Sequence, residues 1–366
     1  MKILFFSPNL TNGGTQRVMV NLANMLAMKG YEIIFVICFR NTGEYTLEEN
    51  VNAIYLDAPN WVGKNYVIIK RLSIFIMCTL GLRKIIMKNK PNIIIVFLPI
   101  FVLSAMLASL FTRIPLLISV RNDPTESKIF KKIINKFLFP LADGCVFQTE
   151  EVQKFYSDRL LKKSIIINNL VNDEMFNVLK PKECLNIVGV GRLNQQKNWY
   201  IAIRAYSLIA DKVKDNFYIY GTGDKYDDLQ RYIESLNLVG RVILAGFHSN
   251  IENIITRAKL FVSSSDYEGS PNSLIEALIL GTPCVSTRFS GGGAERLIKS
   301  GVNGILVSKG DYIALSEAMF NILTNECYAK NLAKNAKKRM VEDFNPMTVF
   351  EQWENFIKVI IKKGSK

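Results

Sequence analysis

Short apolar runs recur along the first half of the chain: KILFFSP, EIIFVICF, VNAIYLD, NIIIVFL, PLLISV, GCVFQT and SIIINNL. Between them lie stretches in which apolar residues return every three or four positions, over 15–29, 64–89, near 127–138, and between GCVFQT and SIIINNL. Runs that are apolar at successive rather than alternate positions predict strands buried on both faces, and strands alternating with crossover helices predict a parallel sheet. Residues 172–184, NDEMFNVLKPKEC, are polar without a sustained period and read as a linker. The alternation then restarts: NIVGVGR, FYIYGTG, VILAG, LFVSSS, PCVST and GILV each precede a helix-like segment. The expectation is an α/β chain of two Rossmann-like, doubly wound parallel-sheet domains, 1–178 and 179–346, facing a central cleft at the carboxyl ends of their strands. The terminal FNPMTVFEQWENFIKVIIKKGSK reads as a helix with a basic, frayed end, and its residues 347–366 are expected to pack back on the first domain.

Length supports the division, because 366 residues are many for one hydrophobic core. A hydrophobic fraction of 49% with 21% charged residues excludes a disordered chain. Lys and Arg outnumber Asp and Glu to give a net charge of +14, which calls for an anionic partner: nucleic acid, a phospholipid surface or a phosphorylated small molecule. Six scattered cysteines and a single histidine, His248, read as reduced thiols of a cytosolic protein rather than a zinc site. The opening MKILFFSPN lacks the apolar core and small-residue cleavage site of a signal peptide, so export is not expected. One run, IIIVFLPIFVLSAMLASLF at 93–111, is uncharged and long enough to span a bilayer. Pro91 and Pro99 bracket NIIIVFL within it, so we read a buried strand followed by a short helix returning to PLLISV.

Candidate chemistry gathers at three strand-to-helix turns. In PNLTNGGTQR, Gly13 and Gly14 either make a tight turn or let backbone approach a ligand beside the open amides of a helix start. In GRLNQQKN, Arg192 leaves a strand and Lys197 stands near the next helix; the two cations either grip a diphosphate or are surface charges. In YEGSPNSLIEALILGTP, Ser270 reads as an N-cap and Pro271 as the first helical residue. The amides of 269–273 then offer the positive end of a helix to a ligand, with Glu268 outside it and Glu276 two turns inside, unless Glu276 only decorates a solvated face.

With NGGTQRV, VGVGRLNQQKN, YGTGDKYDDLQ, LAGF, SSSDYEGSPNSLIEALILGTPCVST and GGGAERLIKSGVNGILV, the chain resembles the retaining nucleotide-sugar glycosyltransferases of the GT-B fold, family 4, over nearly its whole length. That family includes bacterial capsule, lipopolysaccharide and lipid-linked oligosaccharide enzymes. The resemblance implies that Arg192 and Lys197 stabilise the departing diphosphate, that Glu276 binds the nucleotide ribose, and that Glu268 lies near the donor sugar. It implies a donor-binding backbone through Gly269, Ser270, Pro271, Asn272, Ser273 and Leu274, with Gly14 closing the other side. Gly13 and Thr15 would lie toward the acceptor. It also implies a metal-independent reaction without cofactor, since cations and helix amides can neutralise the leaving group; DYE at 266–268 is the nearest approach to a D-x-D metal motif. The family's usual mechanism is front-face substitution, with the leaving phosphate taking the proton of the incoming hydroxyl.

One departure concerns the histidine that many members carry after the fifth strand. Here LLISVRNDP puts Arg121 at that place. Arginine cannot serve as a base at neutral pH, so its expected role is electrostatic, gripping a donor or acceptor phosphate, unless it merely pairs with Asp123 at the surface. His248 in AGFHSN falls near the expected nucleotide base or is a bystander.

Residues 64–90 and SKIFKKIINKFLF at 127–139 mix Ile, Leu, Phe and Met with Lys and Arg. They suit either docking at an anionic membrane or core-packed helices with solvated basic faces. The resulting expectation is a cytoplasmic enzyme, peripheral at the inner face of the plasma membrane. It would move a hexose or N-acetylhexosamine from a nucleoside-diphosphate sugar, UDP-linked by preference, to an undecaprenyl-diphosphate-linked glycan of a bacterial surface polysaccharide. Alternatives are a sugar-nucleotide epimerase of the same fold or, less favoured, a basic membrane- or nucleic-acid-binding protein. A nicotinamide dehydrogenase is disfavoured because GVGRLN and GTGDKY lack the third glycine of the dinucleotide fingerprint, and no nucleic-acid-binding signature is present.

Overall fold

The computed structural model describes residues 1–11, 13–40, 45–59, 68–121, 136–179, 181 and 186–364. Most of the helix expected near 127–138 lies outside the described residues. Two compact units form, Met1–Leu170 with Pro346–Lys366, and Val171–Asn345. Val171 and Met175 pack into the core of the second unit, and Asp173–Asn177 is a turn of 3-10 helix, so the polar stretch that reads as a linker begins inside that unit.

The first unit contains β1 (Lys2–Ser7), α1 (Gly14–Met28), β2 (Glu32–Ile37), β3 (Val51–Tyr55), α2 (Ile68–Asn89), β4 (Ile93–Val96), α3 (Pro99–Ala108), β5 (Leu116–Ser119), β6 (Gly144–Phe147), α4 (Glu150–Lys154), α5 (Asp158–Leu161) and β7 (Ser164–Ile166). Its sheet runs β3-β2-β1-β4-β5-β6-β7, with the paired strands parallel. The uncharged run 93–111 divides into β4 and α3, with Pro99 in the first turn of the helix, where its missing N–H leaves nothing unpaired. Among the described residues, no helix is long and apolar enough to cross a membrane.

The second unit contains β8 (Ile187–Val190), α6 (Trp199–Ser207), β9 (Phe217–Tyr220), α7 (Tyr226–Ser235), β10 (Val242–Gly246), α8 (Ile251–Thr256), β11 (Leu260–Ser263), α9 (Asn272–Ile279), β12 (Cys284–Thr287), α10 (Gly293–Leu297), β13 (Ile305–Val307), α11 (Tyr312–Thr324) and α12 (Glu326–Asp343). Its sheet is parallel in the order β10-β9-β8-β11-β12-β13. In each sheet the chain winds outward one way and then the other, so the order reverses between β1 and β4 and between β8 and β11. At such a switch point the loops leaving two neighbouring strands diverge to opposite faces and open a crevice at the strand ends. The loop after β8 carries Arg192 and Lys197, and the loop after β11 carries Glu268 to Pro271.

The last helix, α13 (Pro346–Gly364), belongs to the first unit. Val349, Phe350, Trp353, Ile357 and Ile360 line one face of it and join the cluster formed by β1, β2, β4 and α1. Gly144 makes room for this packing, since a Cβ there would stand 2.7 Å from Ile360 Cδ1. Phe97, just beyond β4, stacks on Trp353 at 5.5 Å. One polar group sits in that interface. Glu354, almost fully buried, accepts hydrogen bonds from Tyr31 Oη (2.5 Å) and Lys29 Nζ (3.0 Å) and pairs with Lys358 Nζ (3.1 Å). Burial alone would raise its pKa, but the donors Tyr31, Lys29 and Lys358 outweigh burial and hold it down at about 2. A carboxylate held below its unfolded value stabilises the fold at neutral pH, and that stability is lost as pH falls from about 4.5 toward 2. Glu354→Gln should therefore lower stability by about 1–2 kcal/mol at pH 7, and the gap from wild type should close near pH 2–3, as read by thermal melts across pH.

Candidate active site

Around the β8/β11 switch point, side chains from one loop hold the backbone of the other. Lys197 Nζ pairs with Glu268 Oε1 at 2.7 Å, both side chains being mostly buried. Ser265 Oγ donates to the same carboxylate oxygen at 3.1 Å. Ser264 Oγ donates to the Lys197 carbonyl (2.9 Å), Asn198 Nδ2 to Asp266 Oδ1 (3.0 Å), and Gln196 Nε2 to the Tyr267 carbonyl (2.9 Å). Arg192 is exposed and donates through Nη2 to Gln196 Oε1 (3.2 Å), so this cation reaches the cluster through Gln196. An ammonium carries three donors and a guanidinium five, so both cations keep protons to offer a ligand while held by these partners.

Local sequence explains the geometry. Asn194 caps the single 3-10 turn Gln195–Lys197, its Oδ1 accepting from Lys197 N at 3.1 Å. Asn198 then takes a left-handed conformation, φ +44°, which turns the chain into α6. Gly191 leaves room for the Lys197 side chain, since a Cβ there would lie 2.7 Å from Lys197 Cε and the side chain would have to shift. Trp199 Nε1 donates to the Arg192 carbonyl (3.1 Å), fixing the far end of the same loop.

Helix α9 enters this cluster at its N-terminus. Pro271, not Ser270, is the N-cap: its carbonyl accepts from Leu274 N (3.2 Å) and Ile275 N (3.1 Å), and its ψ of 115° lies outside the helix. Ser273 Oγ donates to the Val190 carbonyl (3.1 Å), which sets the first turn of α9 against the end of β8. Gly269 is buried beneath the start of α10, where a Cβ on Gly293 would stand 2.1 Å from the Gly269 carbonyl oxygen. Glu276 is 2% exposed, on a helix whose Leu274, Ile275, Ala277, Leu278 and Ile279 are buried too. It is an interior carboxylate and not a solvated face.

The structure thus brings Arg192, Lys197, Glu268, Gly269, Pro271 and Ser273 to one set of strand ends, with Glu276 inside the helix that starts there. Sequence reasoning missed Gln196, Asn198, Ser264 and Asp266, whose signal is their place beside the named cations in GRLNQQKN and SSSDYEG. His248 Nδ1 accepts from Asn250 N (3.2 Å), and its ring meets Tyr220 edge-on at 6.2 Å. An open cavity of about 520 Å³ lies elsewhere in this unit, lined by Arg288, Glu295, Lys299, Asn303, Asn335 and Arg339 among others, and by none of the cluster. Among the described residues no three His, Cys, Asp or Glu side chains are placed to hold a metal ion.

The remaining candidates lie in the first unit. Gly13 is the N-cap of α1 with extended backbone, φ −137°, so no positive φ demands glycine there; Gly14 and Thr15 open the helix. Arg121, just beyond β5, is not a surface group. It is 8% exposed, its Cζ lies 4.3 Å from the Phe97 ring centre and 5.8 Å from that of Trp353, and Nη1 donates to Asn169 Oδ1. With the Gln148 amide turned so that its nitrogen donates to the Arg121 carbonyl (3.0 Å), its oxygen accepts from Asn169 Nδ2 and Arg121 Nη1, each at 3.1 Å. Among the described residues Nε and Nη2 are buried without an acceptor. Asp123, its alternative partner, is outside the described residues. Burial pushes the Arg121 pKa down to about 9, so it remains a cation at neutral pH.

Residues 12–174 match the family described as Glycosyltransferase Family 4, and residues 171–339 match glycosyl transferases group 1. The chain belongs to the family 4 glycosyltransferases. One relative of this glycosyltransferase, from Campylobacter jejuni, is a GalNAc-α-(1->4)-GalNAc-α-(1->3)-diNAcBac-PP-undecaprenol α-1,4-N-acetyl-D-galactosaminyltransferase, 28% identical with 98% of each chain covered. Another is the Escherichia coli UDP-Gal:α-D-GlcNAc-diphosphoundecaprenol α-1,3-galactosyltransferase, 26% identical over 91% of this chain and 90% of the relative. Among solved structures, Anabaena HepE in complex with UDP and glucose superposes with a TM-score of 0.83 at 18% identity, covering 98% of this chain and 99% of that one. TarM gives 0.79 at 16% identity over 97% and 98%. The fold of this glycosyltransferase is GT-B.

Among the described residues Arg121 has no carboxylate partner, and a buried cation so placed opposes folding, because its desolvation is not offset by pairing. Arg121→Met, of similar reach and without charge, should therefore leave Tm unchanged or raised, with stability gained by up to roughly 1 kcal/mol, while transferase activity falls. Calorimetry beside an activity assay checks this; a large loss of Tm would make Arg121 a structural residue.

Proposed function

We propose that this glycosyltransferase moves a hexose or N-acetylhexosamine from a UDP-sugar, with retention, to an undecaprenyl-diphosphate-linked glycan destined for a bacterial surface polysaccharide. It works in the cytoplasm at the inner face of the membrane, without a metal or other cofactor. The named acceptors of the Campylobacter and E. coli relatives support the lipid-linked acceptor, and the UDP-Gal named for the E. coli enzyme supports the donor. The observation that carries the reading is the tie between Lys197, Arg192 and the Glu268 loop at the switch point.

In this reading the Arg192 fork and the Lys197 ammonium receive the diphosphate, and the start of α9 adds the positive end of a helix. As the anomeric C–O bond to phosphate breaks, charge accumulates on the leaving oxygen, where fixed cations stabilise it without reorganising. The acceptor hydroxyl forms the new C–O bond on the same face and passes its proton to the leaving phosphate. Glu268, positioned by Lys197 and Ser265, accepts from the hydroxyls of the donor sugar, and Glu276 accepts from the ribose. Arg121 acts electrostatically on a phosphate, and Gly13 and Thr15 lie toward the acceptor.

A panel of radiolabelled sugar nucleotides, each assayed with and without lipid-linked acceptor, tests the reaction. Turnover that requires the acceptor supports transfer; interconversion of the sugar nucleotide without acceptor would instead make this chain an epimerase. Lys197→Ala should lower kcat by roughly a hundredfold or more, as expected for loss of a fixed charge at a leaving group, with a smaller effect on donor binding. Glu276→Ala should raise the donor KM by about tenfold, with kcat changed less. Near-normal steady-state kinetics for both variants would refute the site.

A further inference from the structure

The second unit carries an open cavity of about 520 Å³ that the transfer reading does not use. Its apolar lining is Ile298 and Leu306, both buried, with the exposed Val302. Three cations from three places in the chain line the same cavity: Arg288 just beyond β12, Lys299 after α10, and Arg339 on α12. Glu295 is the carboxylate among the lining residues, so the lining carries two more positive charges than negative ones.

The walls are held by bonds that leave the cations able to donate. Asn303, 2% exposed, folds the turn after α10: its Oδ1 accepts from Lys299 N (2.7 Å) and its Nδ2 donates to the Leu297 carbonyl (3.0 Å). Asn335 Nδ2 donates to the Val302 carbonyl (2.9 Å) and Arg339 Nη2 to the Arg296 carbonyl (2.8 Å), which joins α12 to that turn and to α10. Arg288 Nη1 pairs with Glu295 Oε1 at 3.3 Å, and Arg339 Nε pairs with Asp343, outside the lining, at 3.2 Å. A guanidinium has five donors, so each arginine keeps others for a ligand. Lys299 is exposed and makes no ion pair among the described residues.

We propose that this cavity binds a sugar phosphate, at a site separate from that of the transfer reaction, which goes beyond the transfer reading. A phosphomonoester carries a charge of about −1.5 to −2 at neutral pH and three acceptor oxygens, which match the excess charge and the several donors of the lining. Arginine forks bind such oxygens in pairs, and lysine adds a point charge. A lone carboxylate would leave part of that charge unmatched, and a metal cation would meet repulsion. Ile298 and Leu306 offer an apolar floor to the body of the ligand, while Glu295 and the Asn335 amide oxygen are acceptors for its hydroxyl groups. Those acceptors favour a sugar over an acyl chain as the group that carries the phosphate.

Calorimetric titration of the full chain with glucose phosphate tests the proposal, with glucose, inorganic phosphate and dihexanoyl phosphatidic acid as comparisons and a repeat at saturating UDP. Glucose phosphate should bind roughly tenfold or more tightly than glucose or inorganic phosphate, and with the same affinity when UDP is present. Lys299→Glu should weaken it by roughly tenfold or more, since a charge beside a dianion is reversed, with Tm and UDP binding unchanged. Lys197→Ala, at the transfer site, should leave glucose phosphate binding as in wild type. Glucose phosphate that fails to bind at millimolar concentration, that is displaced by UDP, or that binds Lys299→Glu as it binds wild type overturns the proposal. So does a preference for phosphatidic acid, which would make the ligand a lipid. UDP bound without glucose phosphate removes this cavity alone, and glucose phosphate bound without UDP removes the transfer site alone.

Discussion

Everything proposed for the second unit depends on the contact between the loop after β8 and the loop after β11. Lys197 and Glu268 meet at 2.7 Å, each mostly withdrawn from water. Either charge left alone in such a place would be costly, so the pair requires both loops to be in place together. Three further hydrogen bonds, Ser264 to the Lys197 carbonyl, Asn198 to Asp266 and Gln196 to the Tyr267 carbonyl, convert one ion pair into a register between two strand ends. Fixed charges at a switch point are what a charged leaving group needs, because they are oriented before the reaction begins.

The first unit follows a different rule. Its sheet is closed on one side by α13, whose apolar face completes the core and whose buried Glu354 is satisfied by three donors. Close to Trp353 of that same helix lies Arg121, a buried cation with one edge of its fork unused among the described residues. The two groups show the difference between a buried charge with three donors around it and one that the described residues satisfy on one edge only.

The central strands were legible in the sequence because burial on both faces favours unbroken apolar runs such as LFF, IIFVI and IIIV. NIIIVFL shows this even where a longer uncharged run suggests a membrane span: Pro99 marks the place at which strand gives way to helix. The cations and glutamates of the site were legible as residue types at strand ends, but their pairing was not. Lys197 and Glu268 lie on loops that follow strands far apart in sequence, and only the sheet order makes them neighbours. Ser270 and Pro271 illustrate a finer limit, since proline's fixed φ suits both the cap and the first helical position, and ψ, set by packing, decides between them. Arg121 reads in one dimension as a phosphate-gripping cation or, alternatively, a surface partner of Asp123, and nothing in its neighbours along the chain shows that it is buried. Its burial follows from Phe97 and Trp353, brought from other elements.

The most direct test of the central claim is a crystal structure of the protein with UDP bound. The account predicts the diphosphate within hydrogen-bonding distance of both the Arg192 guanidinium and the Lys197 ammonium, beside the first turn of α9, with the ribose hydroxyls on Glu276. A diphosphate seated away from Arg192 and Lys197, with the Lys197–Glu268 cluster touching no part of the nucleotide, would contradict it.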